Sequence, residues 1–298
     1  MLVAETKSFK QAAKKAYVSQ QCVSDHISRI ENEFGTKLFI RKPFLHLTPA
    51  GEIVYKSLSN IDAIEKNLNK QMDELKSGIK GKFTVGISTS RSPVILPKVL
   101  KKYNELFPNI IVKFVSGDTA ILEKYLENNT VDLFLGVNTN LNLDFHVHHI
   151  CNDYIYMIIH KNLFYKHFDN SNLQAFRKGV DLNNFSEVPM VMYYKTGAMY
   201  TLMQQHLISH GVKLNNIPFY TSECETQIKL CIEGVACALV PKMLYTNFEE
   251  KNDIFVFPIK GLEYPLRIEI VKKKNIFLPN YINAFCNVLE DEILSLAD

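Results

Sequence analysis

Residues 51–77 form an unbroken stretch of 27 residues with neither a proline nor an internal glycine. Its apolar residues recur at alternating steps of three and four, with a glutamate in one apolar position: Leu58, Ile61, Leu68, Met72 and Leu75. This spacing predicts one long helix with an apolar seam of the coiled-coil kind. Because such a seam has to be covered, we interpret the stretch as a linker that also pairs two chains. Packing of the helix against its own chain is the alternative.

Two shorter helices are predicted in front of the linker. The first has residues at helical spacing: Phe9, Ala12, Ala13 and Ala16. The second has one apolar face: Val23, Ile27, Ile30 and Phe34. Ser8 and Ser19 are suited to capping the two helices, and Gly35 to ending the second. Two helices separated by a tight turn predict a helix-turn-helix.

The positive charge of the chain is concentrated at this end. The first 56 residues contain nine Lys or Arg and five Asp or Glu, whereas the remaining 242 contain 25 and 26. A basic head on a neutral body favours a polyanionic partner for the head. A basic surface that is merely solvated is the alternative.

The segment 38–48 predicts a β-hairpin with Arg41 and Lys42 at its tip, as in the wing of a winged helix-turn-helix. The second helix presents, outside its apolar face, side chains of the types that contact base edges and phosphates. The candidate DNA-binding residues are Ser19, Gln20, Gln21, Ser24, Asp25, Ser28, Arg29, Arg41, Lys42 and His46.

After the linker-like segment 77–81 the pattern changes to strands alternating with helices. Predicted strands cover 82–87, 110–115, 131–137, 154–160, 188–194, 254–258 and 266–271. Predicted helices cover 96–107, with Pro97 in its first turn, and 119–128, 199–210, 226–238 and 280–296. Alternation of this kind predicts open α/β sheets with parallel strands.

A series of spaced motifs runs through the chain in a fixed order. In the head they are Ser8-Phe9-x-x-Ala12-Ala13, Val18-Ser19-Gln20, Ser24-x-x-Ile27-x-x-Ile30-Glu31, Gly35-x-x-Leu38-Phe39-x-Arg41 and Leu47-Thr48-x-Ala50-Gly51. In the body they are Pro93-x-x-Leu96-Pro97, Phe107-Pro108, Val131-Asp132-Leu133 and Gly234-Val235-Ala236-x-Ala238-Leu239-Val240-Pro241. Over its whole length the chain resembles the LysR-type transcriptional regulators.

This resemblance implies a two-lobed α/β body, similar to periplasmic solute-binding proteins, with an N-terminal all-α winged helix-turn-helix and a long linker helix. The expected domains are a DNA-binding domain over 1–50, a linker and dimerisation helix over 51–77, and an effector-binding domain over 82–298. Lobe I is expected to comprise 82–153 and 266–298, and lobe II 154–265. The family also implies a homodimer or homotetramer on an imperfect palindrome of double-stranded promoter DNA, with RNA polymerase as a further partner.

In such a body the effector lies between the lobes, where strands end and helices begin. Four loops occupy these places: 88–91, 117–119, 195–198 and 221–223. Their hydroxyls, amides and cations suit a small carboxylate, whereas Asp118 and Glu223 favour an amine or an amino acid. Ordinary turn and capping chemistry is the alternative. The candidate effector-binding residues are Ser88, Thr89, Ser90, Arg91, Thr119, Lys195, Thr196, Gly197, Ser222 and Glu223.

Three features depart from the family pattern. Residues 1–5 correspond to only the second half of the usual first helix, which indicates either a native start upstream of Met1 or a weakened head. Gln21-Cys22 replaces the usual Pro-Ala of the recognition helix. The wing is about one residue short, with His46 near the place of a second arginine.

The cysteines and histidines give weaker signals. Six cysteines without a C-x-x-C pair are expected to be small, mostly buried residues in a reducing compartment. A thiol sensor formed by Cys224, Cys231 and Cys237 is the alternative. The histidines at 146, 148 and 149 lack a convincing further ligand for a metal.

No nucleotide-binding, zinc-protease or hydrolase motif occurs, so neither enzyme activity nor a cofactor or metal is predicted. With no long apolar run and no secretory leader, the cytoplasm is the expected location and a membrane is not an expected partner. The sequence therefore predicts a regulator whose promoter binding responds to a small-molecule effector. The alternatives are a solute-binding module with a degenerate head and, with no nucleophile–base pair to support it, an enzyme using the cleft.

Overall fold

The computed structural model describes residues 1–298 except 78–79, 141, 195–196, 250–252, 263, 275, 277 and 298, and at 67, 70–71, 73–77 and 246–249 it describes the backbone alone. The chain divides into two compact units, Met1–Lys76 and Ser77–Asp298. Among the helices of this described part, none combines the length and the apolar character needed to cross a lipid bilayer.

The first unit is helical apart from a short hairpin. Its elements are α1 (Leu2–Thr6), α2 (Phe9–Ala16), α3 (Gln20–Glu33), β1 (Phe39–Ile40), β2 (His46–Leu47) and α4, which begins at Pro49 and runs to Ser77, the first residue of the second unit. The hairpin pairs Phe39 with Leu47 and Ile40 with His46 in antiparallel register.

Both predicted serine caps of the helix-turn-helix are confirmed. Ser8 Oγ accepts a hydrogen bond from the Gln11 amide at 3.3 Å, and Ser19 Oγ accepts one from the Cys22 amide at 3.1 Å. Each bond satisfies an amide that the first helical turn leaves unpaired. Between the helices Tyr17 adopts a left-handed conformation with φ 55°, which ends α2 and starts the turn.

The C-terminal end of α3 differs in part from the sequence prediction. Gly35 has φ 63°, and the amide of Thr36 donates to the carbonyl of Glu31 at 3.1 Å, so the predicted glycine cap is confirmed. The assignment of Phe34 to the apolar face is wrong: the helix has already ended at Glu33, and Phe34 is 57% exposed. The remaining apolar residues of α3 pack on a small core that contains Val3, Ala12, Leu38 and Phe39.

Helix α4 covers the whole predicted linker and begins two residues before it. Of its seam, Leu58, Ile61, Leu68 and Met72 are exposed. The side chain of Leu75 lies outside the described residues. The first unit therefore leaves the described part of the seam open to solvent.

The second unit consists of two mixed five-stranded sheets with helices packed on them. Its strands are β3 (Gly81–Ile87), β4 (Ile110–Ser116), β5 (Leu133–Val137), β6 (Phe145–Asp153), β7 (Ile155–His160), β8 (Met190–Tyr193), β9 (Phe219–Thr221), β10 (Cys237–Pro241), β11 (Ile254–Pro258) and β12 (Leu266–Lys273). Its α-helices are α5 (Ser92–Leu106), α6 (Thr119–Glu127), α7 (Lys161–His167), α8 (Asn170–Phe176), α9 (Ala198–Ser209), α10 (Cys224–Ile232), α11 (Lys242–Glu249) and α12 (Asn280–Ala297).

The order of strands is β4-β3-β5-β12-β6 in lobe I and β11-β7-β10-β8-β9 in lobe II. The prediction of parallel sheets is wrong for part of each. Strand β12 runs antiparallel to β5 and β6, and β7 runs antiparallel to β10 and β11. Strands β6 and β7 lead the chain from lobe I into lobe II, and β11 and β12 lead it back, so the returning strand runs opposite to the outgoing one in each sheet.

Two predicted helices have different bounds. Helix α5 begins at Ser92, which places Pro93 in its first turn and Pro97 in its interior. Helix α10 ends at Ile232, and Gly234, with φ 68°, turns the chain into β10. The predicted helix 226–238 is therefore wrong beyond residue 232, because a left-handed residue stops the helical hydrogen bonding.

Aromatic rings fill the core of each lobe. In lobe I Phe285 makes edge-to-face contacts with Phe83 and Tyr103, with ring centroids 5.2 and 5.1 Å apart. In lobe II Phe176 makes similar contacts with Phe164 and Phe257 at 6.2 and 5.9 Å. These separate cores hold each sheet as a body of its own, and the cleft between the lobes lies at the strand ends.

Candidate DNA-binding face and ligand cavity

The capped start of α3 carries the polar side chains predicted to contact DNA. Gln20, Gln21, Asp25 and Arg29 are exposed, as is Ser19, while Ser24 and Ser28 are half-buried. Gln21 Nε2 donates to Asp25 Oδ1 at 2.8 Å. The pair fixes the Gln21 side chain and leaves its carbonyl oxygen available as an acceptor.

A cation–π contact anchors the hairpin to α2. The Arg41 guanidinium lies over the ring of Phe9, 5.1 Å from its centroid, and Lys42 and His46 are exposed. The His46 Nδ1–H donates to the carbonyl of Phe44 at 2.8 Å. The predicted cations of the wing thus lie on a hairpin whose base is packed against α2.

Glu31 links α3 to the hairpin, a role that the sequence pattern did not reveal. This buried carboxylate accepts bonds from Lys37 Nζ at 2.7 Å and from the Leu38 amide at 3.0 Å. Burial acts to raise the pKa of Glu31, but the bonds from Lys37 and Leu38 prevail and lower it. Glu31 therefore stays ionised and holds the start of β1.

A cavity of about 470 Å³ lies between the two lobes of the second unit. Five predicted effector-binding residues line it: Ser88, Ser90, Arg91, Thr119 and Gly197. Thr89, Ser222 and Glu223 lie outside its lining, and Lys195 and Thr196 fall outside the described residues. The rest of the lining is apolar or uncharged apart from Asp118.

Several lining residues were not predicted from the sequence. Asn138 and Asn140 follow β5, and Tyr193 ends β8. Thr201 and Gln205 lie one turn apart on α9. The rule that ligands lie at the ends of parallel strands would have identified Asn138 and Asn140, whereas the face of α9 depends on the packing of lobe II.

Arg91 is engaged in a buried ion pair beside the cavity. Its Nη2 donates to Asp153 Oδ2 at 3.0 Å, and the two side chains are 8% and 0% exposed. Asp153 Oδ1 accepts from the Met243 amide at 3.2 Å, so one carboxylate joins the N-terminal cap of α5, the end of β6 and α11. Burial raises the pKa of Asp153, and Arg91 opposes that rise. Arg91 therefore serves the junction of the lobes, and its charge is already neutralised.

Thr119 and Asp118 are also occupied by the protein. The Thr119 hydroxyl donates to the Val137 carbonyl at 3.1 Å and accepts from the Val137 amide at 3.0 Å. Asp118 Oδ1 caps α6 through the Ile121 amide at 2.9 Å. Helix α9, by contrast, begins behind Gly197, which lines the cavity, and the described residues provide no side-chain cap for its first turn.

Tyr193 lines the cavity near two carboxylates. Its pKa is raised to about 12 by burial and by the nearby Glu223, Cys224 and Asp118. The phenol therefore keeps its proton at neutral pH and can donate a hydrogen bond. The two carboxylates give the surroundings a negative potential.

The cysteines and histidines have structural environments. Burial raises the pKa of the Cys224 and Cys231 thiols to about 12, which opposes the thiolate that redox chemistry requires. His148 Nε2 contacts Glu290 Oε1 at 2.9 Å and His149 Nε2 contacts Asn152 at 3.0 Å. Across the described part of the chain, no three His, Cys, Asp or Glu residues come together as a metal site.

Comparison with family models identifies both units. Residues 1–52 match the helix-turn-helix of bacterial regulatory proteins of the LysR family, and residues 76–293 match the LysR substrate-binding domain. The transcriptional regulator YkuM of Bacillus subtilis is 22% identical over 98% of this chain and 94% of its own length. A probable nitrogen assimilation transcriptional activator of Synechococcus elongatus is 23% identical over 90% and 85%.

Solved structures share the fold along nearly the whole chain. ArgP from Mycobacterium tuberculosis superposes with a TM-score of 0.72 at 14% identity, over 98% of this chain and 93% of its own. Full-length OxyR from Pseudomonas aeruginosa gives 0.69 at 17%, over 99% and 93%. CbnR in complex with its target DNA gives 0.58 at 17%, over 98% and 96%.

These matches confirm the predicted fold class and leave the alternative of a degenerate head without support. The head matches the DNA-binding model of the family, and the body matches its ligand-binding model. The chain belongs to the LysR family of DNA-binding transcriptional regulators and carries that family's effector-binding domain.

Proposed function

We propose that the protein binds an imperfect palindrome in promoter DNA and that a small molecule held between its lobes modulates this binding. The observation that carries the proposal is the cavity of about 470 Å³, lined by polar groups and by the starts of α5, α6, α9 and α10, in a chain that also has a helix-turn-helix head. The ligand is bound and released unchanged. A ligand that fits one arrangement of the lobes better than another shifts the population toward it.

In this proposal the residue ranges 1–50, 51–77 and 82–298 act as DNA-binding domain, dimerisation helix and effector-binding domain. The exposed seam of α4 supports pairing of two chains, because burying four large apolar side chains favours association. A dimer places two copies of α3 in successive major grooves, and two dimers form a tetramer. The protein acts in the cytoplasm and, once bound at a promoter, contacts RNA polymerase.

Within the head, exposed side chains along α3 contact the bases. Gln20, Gln21 and Arg29 contact base edges, and the capped helix start at Ser19 holds a phosphate. Ser24, Asp25 and Ser28 shape the same surface, while Arg41, Lys42 and His46 of the wing contact the backbone. The exposure of Gln20, Gln21 and Arg29 supports these roles.

The cavity favours an amino acid as effector. Arg91 is neutralised by Asp153, so it offers little to a carboxylate. Asp118 Oδ2, which accepts no hydrogen bond from the described residues, and the acidic surroundings of Tyr193 attract an ammonium group. The start of α9, for which the described residues provide no side-chain cap, attracts a carboxylate. Ser88, Thr89, Ser90, Lys195, Thr196, Gly197, Ser222 and Glu223 remain proposed contacts around these two poles.

The DNA-binding half is tested by selecting sheared host DNA with the purified protein at physiological salt, since low salt rewards non-specific phosphate contacts. We expect enrichment of a few fragments that share one imperfect palindrome. On that site the double variant Gln21→Ala, Arg29→Ala should bind at least about ten-fold more weakly, because each base contact contributes roughly 1–3 kcal/mol. Asn32→Ala, in the last turn of α3 and outside the proposed contacts, is the control. Equal affinity of all three proteins would refute the assignment of α3.

The effector half is tested by calorimetric titration with amino acids, simple carboxylates and simple amines. Asp118→Asn keeps the helix cap but removes the charge, so it should weaken amino-acid binding about ten-fold or more. Asp169→Asn is the matched control, because Asp169 caps α8 in the same way outside the cavity. Tighter binding of simple carboxylates, unaffected or improved by Asp118→Asn, would refute the amino-acid proposal.

A further inference from the structure

The tip of the wing presents a large apolar side chain to solvent. Phe44 is 79% exposed. Full exposure of a phenylalanine gives no stabilisation to the folded head, because the ring stays in water as it does in the unfolded chain. Phe34, also exposed, lies at the distal end of α3 and serves below as a comparison.

The segment that carries Phe44 is fixed from both sides. On one side Arg41 lies over the ring of Phe9, which itself contacts Phe39 edge-to-face at 6.1 Å between centroids. On the other side the ring of His46 holds the Phe44 carbonyl at 2.8 Å. Pro43 restricts φ immediately before it. The phenylalanine is thus held on a restrained hairpin, which lowers the entropy lost when it inserts into a partner.

The charge around Phe44 specifies the kind of partner. Residues 34–51 contain three Lys or Arg and no Asp or Glu. Lys37 is paired with Glu31, which leaves Arg41 and Lys42, three and two residues before Phe44, as the cations of the wing. An apolar side chain flanked by cations on a hairpin is the arrangement by which proteins wedge between base steps from the minor groove while cations contact the adjacent phosphates.

We propose that Phe44 inserts between base steps in the minor groove beside each half-site and kinks the duplex there. This inference rests on the proposed DNA binding and adds to it a residue whose binding depends on how easily the DNA duplex bends. Flexible pyrimidine–purine steps and A·T-rich flanks are then preferred at a position where α3 makes no contact. The kink is a property of the wing and does not require the effector.

The test uses the full chain on the palindrome selected by the wild-type protein. Phe44→Ala should bind roughly ten-fold more weakly, the scale of one lost aromatic contact to a base. It should also lose most of the bend measured by circular-permutation mobility. The salt dependence of binding should stay unchanged, because no phosphate contact is removed. Phe44→Leu should retain part of the bend, and Phe34→Ala should retain affinity and bend.

Substitution of Phe44 by lysine separates the wedge from simple charge attraction. Phe44→Lys should bind with a steeper salt dependence but without the bend. If Phe44→Ala bends and binds DNA as the wild type does, the proposal is overturned. If Phe44→Ala changes the oligomeric state but not the bend, the proposal is also overturned, and Phe44 then contacts protein and not DNA. Failure of the wild type to select any DNA would instead refute the proposed function itself, and the wedge with it.

Discussion

Removal of the Asp153 carboxylate should weaken the junction between the lobes more than any comparable change at the cavity. Asp153 is the last residue of β6, and its two oxygens hold the Arg91 guanidinium and the Met243 amide. Three elements meet at this one group. Asp153→Ala leaves a guanidinium that is 8% exposed without its counter-ion.

Substitution of Asp153 and substitution of Arg91 should lower the unfolding free energy by different amounts. Arg91 cannot lose its proton in a protein, so Asp153→Ala should cost about 3–5 kcal/mol. Arg91→Met should cost less, because Asp153, whose pKa burial already raises, can neutralise itself by taking up a proton. It also removes the buried Arg91 Nε, for which the described structure provides no hydrogen-bond acceptor. The double variant Arg91→Met, Asp153→Leu should recover most of the loss.

These differences are measurable by urea unfolding followed by circular dichroism, since the chain has no tryptophan. We expect the unfolding midpoints to fall in the order wild type, double variant, Arg91→Met, Asp153→Ala. The penalty of Arg91→Met should shrink from pH 7 to pH 5, because its folded state then binds the proton at Asp153 more readily than the unfolded state does. A cost for Asp153→Ala below about 1 kcal/mol, or a double variant no more stable than Asp153→Ala, would refute the argument.

Three further outcomes follow from the structure. Ser19→Ala should lower the unfolding free energy of the head by about 1 kcal/mol, measured by thermal denaturation, whereas Ser19→Asp should retain it; equal stability of all three would contradict the cap. Gly51→Ala should cost about 1–3 kcal/mol in the same assay, because its Cβ would meet the Leu38 carbonyl, and an unchanged melting temperature would contradict this packing. Burial and the stacked His210 lower the pKa of His206 below its ordinary 6.5, while Asp181 and a bond with Gly261 oppose this. The unfolded state therefore takes up the proton first as the pH falls below 6.5, so stability should decline there in the wild type and less in His206→Gln, as urea unfolding at pH 7.5 and 5.5 would show.

The sequence by itself determined the features that depend on neighbours along the chain. The caps at Ser8 and Ser19 need only a hydroxyl before a helical stretch. The long helix α4 follows from 27 residues without a breaker, and β11 has the bounds that its apolar run predicts. The spaced motifs of the head and the body indicated the family, because each motif consists of residues that are close in the sequence and the motifs follow a fixed order along the chain.

Only the tertiary structure decided what each polar group in the cavity does. Arg91 looked like a cation for a ligand, but Asp153, 62 residues away, neutralises it. Thr119 looked like a free hydroxyl, but Val137 occupies both its donor and its acceptor. Strand direction at β7 and β12 was likewise settled by chain crossings between the lobes. Periodicity records which face of an element is apolar, whereas the partner of a buried polar group depends on residues that meet only after the sheets have formed.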